Sequence, residues 1–152
     1  MVDAASILHE HHGKQMSVYR GSKKGRQGNV SRNRVSGHAR LYKDYFHLTD
    51  LVYKEQMFRR RYRMSRDLFM VILWDVRDND AYFHCKPDAT GKLGFTSYQK
   101  CSTTIRMHFY GMFGDIFDEY LQMCESTCHE SMYRFCRAVN GVWRTVLESP
   151  NC

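Results

Sequence analysis

The stretch "DEYLQMCESTCHES", residues 118–131, places two cysteines four apart with a histidine directly after the second. A structural zinc site needs four converging ligands, usually as two close pairs. Cys124 and Cys128 make one pair, but the other thiols, at 85, 101, 136 and 152, supply no second close pair. The alternative is a helix-turn-helix. Here "DIFDEYLQ" is a short helix, "MCES" its turn, and a long amphipathic helix follows. From about Ser126 or Thr127 to Val146, the residues Cys128, Met132, Phe135, Cys136, Val139, Val142 or Trp143, and Val146 recur with helical period. This is the strongest amphipathic signal in the chain, and Cys128 and Cys136 read as small apolar filling within it.

The other side of that helix carries Ser126, Thr127, His129, Glu130, Ser131, Arg134 and Arg137. Small polar residues near the N-terminus with arginines beyond suit a recognition helix that meets base edges first and phosphates later. The solvated face of any helical bundle has a similar composition, so the pattern alone leaves both readings open.

Upstream the periodicity is also helical. "ARLYKDYF" is a short helix, and "TDLVYKEQMFRRRYR" follows with Thr49 or Asp50 as its cap. Ser65 caps "RDLFMVILWDVRDN", which is apolar almost all round and is therefore expected at the centre of the bundle. "DNDAYFHCKPDATGKLGF" reads as loop. Thr96-Ser97-Tyr98-Gln99 is a capping box opening a helix that stops at Gly111, and Asp115 caps the short helix of the motif. No stretch reads as a strand. The fold expected is all-α, a small helical bundle over 39–152 with a helix-turn-helix-like half at 115–147.

Residues 1–38, rich in Gly, Ser and Asn with few large apolar side chains, read as a disordered arm. Nine Lys/Arg and no acid lie between His11 and Lys43, so the net charge of +7 is concentrated there. Lys23, Lys24, Arg26, Arg32 and Arg34 are the arm's candidate phosphate contacts, in a nonspecific DNA tether, a nuclear-import signal or a plain solvated tail. In "FRRRYR", Arg59, Arg60, Arg61 and Arg63 are dense enough to grip phosphate, with Tyr62 between arginines as a stacking partner. The rival reading packs Phe58 and Tyr62 inward and leaves the arginines as solvated surface. His9, His11 and His12 do not complete a metal motif, because Gly13 stands where the second histidine belongs. The longest apolar run, Leu68 to Trp74, is far short of a membrane span, and nothing reads as a secretory signal. An intracellular chain with reduced thiols is the expectation.

Four blocks, "SGHARLYKDYF", "FRRRYRMSRDLF", "DATGKLGFTSYQKCSTTIRMHFYG" and "DEYLQMCESTCHESMYRFCRAV", resemble in order and spacing the N-terminal region of plant PIF/Harbinger-type transposases and Harbinger-derived nucleases. The resemblance runs from about Arg32 to Asn151. It implies a helix-turn-helix DNA-binding role for Tyr120 to Val139, followed in the family by a DDE nuclease domain of RNase H-like fold. Two positions depart from the family pattern. Cys124 stands where a glycine of positive φ is usual, and Cys128 where a small residue such as alanine is usual.

The chain ends at Cys152, before the region that would supply the catalytic carboxylates, so no catalytic residue is transferred and Mg²⁺ would belong to that absent domain. The function expected is a nonenzymatic, nuclear DNA-binding fragment of a Harbinger-type transposase. It would act on double-stranded DNA, with no cofactor of its own, no membrane and no small-molecule substrate. The alternative is an interaction module docking a Myb-like accessory protein or the missing nuclease half.

Overall fold

Capping chemistry places the helix ends in a computed structural model that describes residues 32–148 except Thr90, Met112, Phe113 and Asp115. For Asp118 and residues 142–148 only the backbone is described. The expected arm with Lys23, Lys24 and Arg26, the three N-terminal histidines, the Asp115 cap and Cys152 therefore lie outside the described residues, as do the side chains of Val142, Trp143 and Val146.

Among the described residues there are six α-helices: α1 Arg34–Tyr45, α2 Glu55–Tyr62, α3 Arg66–Asn79, α4 Ser97–Tyr110, α5 Ile116–Leu121 and α6 Glu125–Glu148. A 3₁₀ turn, Ala81–Phe83, follows α3. Among the described residues there is no strand; the loop between α3 and α4 holds one antiparallel bridge, Pro87 to Leu93, closed by a turn with Gly91 at φ +77°. The all-α class expected from the periodicity is what the chain adopts. Among the described residues, no helix is long and apolar enough to cross a membrane.

The caps are legible where side chains make them. Ser65 accepts the Leu68 amide, and Thr96 and Gln99 form the full capping box, each such cap stabilising by about 1 kcal/mol. Gly111 ends α4 in the left-handed region at φ +58°. Two starts differ from expectation. Asn33 caps α1 at Arg34, so the helix begins inside the segment assigned to the arm. The α2 helix begins at Glu55, because the Thr49 and Asp50 amides instead donate to Nδ1 of His47 and hold the chain in a turn.

The centre is also different. The α3 helix buries Phe69, Leu73 and Val76 but leaves Leu68, Val71 and Trp74 exposed at 49%, 55% and 44%. Only one of its apolar sides has a neighbour to pack on. The central element is α4, which packs against α1, α2, α3 and α6. Its buried residues include Ser97, Gln99, Lys100, Cys101, Ser102, Thr103 and Thr104. Short side chains let four helices approach one axis closely, and the neighbours supply the apolar bulk. Phe58 and Tyr62 stack at 4.4 Å, and Tyr45, Phe46 and Phe69 surround them at centroid distances of 5.0–6.3 Å. Tyr62 is fully buried and donates to Ser102 Oγ at 3.2 Å, so it is a core residue and has no surface from which to stack on a base.

Two contacts hold the N-terminal helix to the far end of the bundle. Fully buried Gln99 accepts the Thr96 amide and donates to the carbonyls of Arg34 and Leu121 at 3.1 and 3.2 Å. Gly37 passes so close beneath that a Cβ there would stand 2.5 Å from the Leu121 oxygen. Beside them, Tyr120 donates to the Asp44 carboxylate, tying α5 to α1.

Gly37→Ala is expected to lower unfolding free energy by about 1–3 kcal/mol, because backbone has to move to admit the methyl group. Gly91→Ala, open on every side but at positive φ, should cost only about 1 kcal/mol. Urea denaturation of both variants checks the ranking. A second expectation concerns His38, whose ring shares a 3.0 Å hydrogen bond with Thr96 Oγ1 and whose pKa burial holds below the ordinary 6.5. The folded state therefore prefers neutral His38. Its contribution is full above pH 6.5 and is lost as pH falls through the lowered folded value. Melting curves between pH 7.5 and 5 should show this loss, and His38→Asn should flatten it.

Candidate nucleic-acid interface

The short helix α5, the turn Gln122-Met123-Cys124 and the long helix α6 form a helix-turn-helix, with α6 starting at Glu125, one or two residues earlier than its periodicity suggests. The left-handed residue of the turn is Gln122, at φ +56°, and not Cys124. Cys124 instead opens α6: its carbonyl accepts the Thr127 and Cys128 amides, and its sulfur bonds the Ser126 and Thr127 hydroxyls at 3.3 and 3.0 Å. Burial would push this thiol up, but those hydroxyls, the Thr127 amide and the charge of Arg32 hold it below the ordinary range.

Cys128 is fully buried against the carbonyls of Gly114 and Met123. Cys101, also buried, has its thiol pKa pushed up to about 12 by desolvation. Cys85, Cys101, Cys124, Cys128 and Cys136 are all free thiols, and among the described residues no group of three or more His, Cys, Asp or Glu is placed to hold a metal ion.

The stripe of α6 is rotated from the one its sequence suggests. Cys128, Met132, Phe135, Ala138 and Val139 face the bundle, together with Ser131. Ser131 is fully buried, accepting from Tyr82 Oη at 2.9 Å and donating to the Thr127 carbonyl at 2.7 Å. It is thus unavailable to DNA, its hydroxyl satisfied inside. Cys136 takes the opposite fate and is exposed. A serine passes into the core because a tyrosine hydroxyl meets it there, and periodicity carries no trace of that partner.

Ser126, His129, Glu130 and Arg137 are exposed and Thr127 is half-buried, so these five do share the solvent side of α6. His129 lies 3.5 Å from Glu125 one turn back, which gives the first turn acidic as well as basic character. Arg134 is committed to structure. Its Nε donates to Glu130 at 2.6 Å, its Nη1 to Asp80 at 3.3 Å, and its guanidinium lies 4.9 Å from the centre of the Tyr82 ring. Asp80 and Tyr82, in the turn after α3, are the residues that sequence reading missed; Asp80 also caps that turn by accepting the Tyr82 amide. Neither residue signals its role locally, because both stand far upstream of α6 and meet it only in the folded chain.

The arginines of α2 are less constrained. Arg59, Arg60 and Arg61 are all exposed in the last turn of the helix, where the dipole favours positive charge. Glu55 pairs with Arg59 at 3.1 Å and with Arg66 at 3.6 Å, so one carboxylate serves two guanidiniums. Among the described residues, no carboxylate pairs with Arg60, Arg61 or Arg63. Arg34 is not an arm residue: it bonds the Leu93 carbonyl at 3.2 Å, reaches Asp88 at 3.9 Å and lies over the Phe95 ring. Arg32 is half-buried beside α1.

Arg134→Ala should lower the melting temperature, whereas Arg137→Ala, whose guanidinium covers only the exposed Tyr133 ring, should leave it within a degree or so. Parallel thermal melts of the two variants make the comparison.

Among families of known sequence, one described as a domain of unknown function (DUF8418) matches residues 37–77, which take in most of α1, all of α2 and most of α3. No curated protein and no solved structure matches the chain.

Proposed function

We propose that this chain binds double-stranded DNA without catalysing a reaction on it, in keeping with the resemblance of its sequence to the front half of Harbinger-type transposases. The observation that carries this reading is the α2 terminus, where Arg60, Arg61 and Arg63 face solvent among the described residues without a pairing carboxylate. Guanidiniums held at a helix C-terminus, with no carboxylate against them, suit phosphate oxygens. Ser126, Thr127, His129 and Arg137 on α6 are the groups of the helix-turn-helix left to meet bases, with Arg134 and Ser131 withdrawn to structural roles. Lys23, Lys24 and Arg26 add sequence-independent affinity, and a nuclear location follows from such a partner.

A second reading rests on a different surface. The exposed side of α3 presents Leu68, Val71 and Trp74 beside Asp67, Asp75 and Asp78. An apolar strip edged by acids suits a basic protein partner, such as a Myb-like accessory protein, better than it suits DNA.

Fluorescence anisotropy of a labelled duplex across a salt series separates these readings. Arg60→Ala/Arg61→Ala should weaken binding several-fold and reduce the salt slope by about 2, since each arginine neutralises one phosphate. Replacing Lys23, Lys24 and Arg26 by alanine should reduce the slope further and leave any sequence preference in place. Arg137→Ala should reduce discrimination between duplexes. Binding that is insensitive to all three changes would overturn the DNA reading and leave the α3 surface as the candidate.

A further inference from the structure

Between the 3₁₀ turn, the following loop, α4 and α6 lies a cavity of about 440 Å³, open to solvent and lined in part by Asp80, Tyr82, His84, Lys86, Lys100 and Arg134. Its most telling wall residue is Lys100. This lysine is 7% exposed, donates to the Tyr82 carbonyl at 2.6 Å and holds its ammonium 4.3 Å from the centre of the Tyr82 ring. Among the described residues, no carboxylate lies within ion-pair distance of it; Asp80, the acid of the cavity, is bonded to Arg134.

A buried ammonium without an ion-pair partner is costly, and it loses hydration that one carbonyl and one ring replace only in part. Burial accordingly holds the Lys100 pKa below its ordinary value. Three cationic side chains, Lys86, Lys100 and Arg134, come from three separate elements to one concavity. Asp80 and Glu130 both pair with Arg134, which leaves the two lysines, among the described residues, without a carboxylate and the site with one positive charge in excess. The Lys100 ammonium retains two further N–H donors after serving the Tyr82 carbonyl, and the Arg134 guanidinium retains three of its five after serving Glu130 and Asp80. The cavity is far larger than a single water molecule needs.

We propose that this cavity is an anion-binding site for a free or terminal phosphate group, in which Lys100 provides the buried charge, Lys86 a second ammonium and Arg134 its remaining N–H donors. The site is distinct from the α2 arginines, so it stands whether or not the chain binds DNA. The group bound is either free phosphate, including that of a small phosphomonoester, or the terminal phosphate of a nucleic-acid strand.

The test uses the full chain with inorganic phosphate as probe, read by ³¹P line broadening and by thermal melting against chloride at equal ionic strength. Wild type should broaden the phosphate signal and melt a few degrees higher in phosphate. Lys100→Met should weaken phosphate binding by about thirtyfold or more while keeping the helical signal. Lys86→Ala, an exposed residue whose loss leaves the core intact, should weaken it by about threefold to tenfold. Lys54→Ala, at an exposed position ahead of α2, should respond as wild type does. Equal melting in phosphate and chloride, or an unchanged response in both lysine variants, overturns the site.

Competition then identifies the source. Displacement of phosphate by a 5′-phosphorylated duplex, but not by the same duplex with 5′-hydroxyl ends, assigns a strand terminus. Displacement by neither assigns a free phosphate, and equal displacement by both overturns a site for free or terminal phosphate groups.

Discussion

The buried side-chain amide of Gln99 is the constraint on which the arrangement of the helices depends. Its oxygen serves the Thr96 amide and its nitrogen serves the carbonyls of Arg34 and Leu121, so one side chain joins the start of α4, the start of α1 and the end of α5. The Leu121 carbonyl, at the C-terminus of α5, is a helix-terminal group that needs a partner in a water-poor interior, and the Arg34 carbonyl is a second acceptor within reach of the same amide. Gly37 makes the convergence possible, since any larger residue would meet the Leu121 carbonyl before Gln99 could reach it. From this junction the first helix of the helix-turn-helix inherits its position, reinforced by Tyr120 on Asp44.

The central helix follows a different rule from the elements around it. Much of its buried surface is serine, threonine and cysteine; it contributes Ile105 and Met107 to the core, and most of the large aromatic groups belong to its neighbours. That division lets four helices crowd one axis, but it leaves Thr103 Oγ1, Thr104 Oγ1 and Arg106 Nε buried without a hydrogen-bond partner among the described residues. Each such group costs about 1–3 kcal/mol when no water satisfies it. Close approach of the neighbouring aromatic cluster offsets that cost, with Phe58, Tyr62 and Phe69 fully buried together.

Polar side chains also shape the inner side of the long helix α6. It sets Ser131 against Tyr82, and its most central arginine is drawn to Asp80 and the Tyr82 ring. Tyr82 thus has Lys100 and Arg134 over one ring and Ser131 on its hydroxyl, making it the joint between the 3₁₀ turn, α4 and α6. A helix-turn-helix with this joint presents a solvent face that mixes Glu125, Glu130, His129 and Arg137. The denser positive charge lies on α2, whose last turn exposes three arginines, of which Arg59 shares Glu55 with Arg66.

Local chemistry was legible in the sequence alone. Ser65, Thr96 with Gln99, and Gly111 mark helix ends through contacts within a few residues, so spacing is sufficient to read them. The all-α class and the short-helix, turn, long-helix order of residues 116–148 follow from apolar periodicity in the same way. What tertiary structure decided was which neighbour each face meets. The continuous apolar run of α3 suggested a central helix, yet the centre fell to α4 because small residues permit closer packing. Ser131 and Arg134 looked like solvent-facing candidates, but Tyr82 and Asp80, some fifty residues earlier, turn one inward and pin the other. Lys100 gave no signal at all: a buried lysine is recognisable only once the elements that bury it have assembled, because desolvation is a property of the packed neighbourhood and not of the residue.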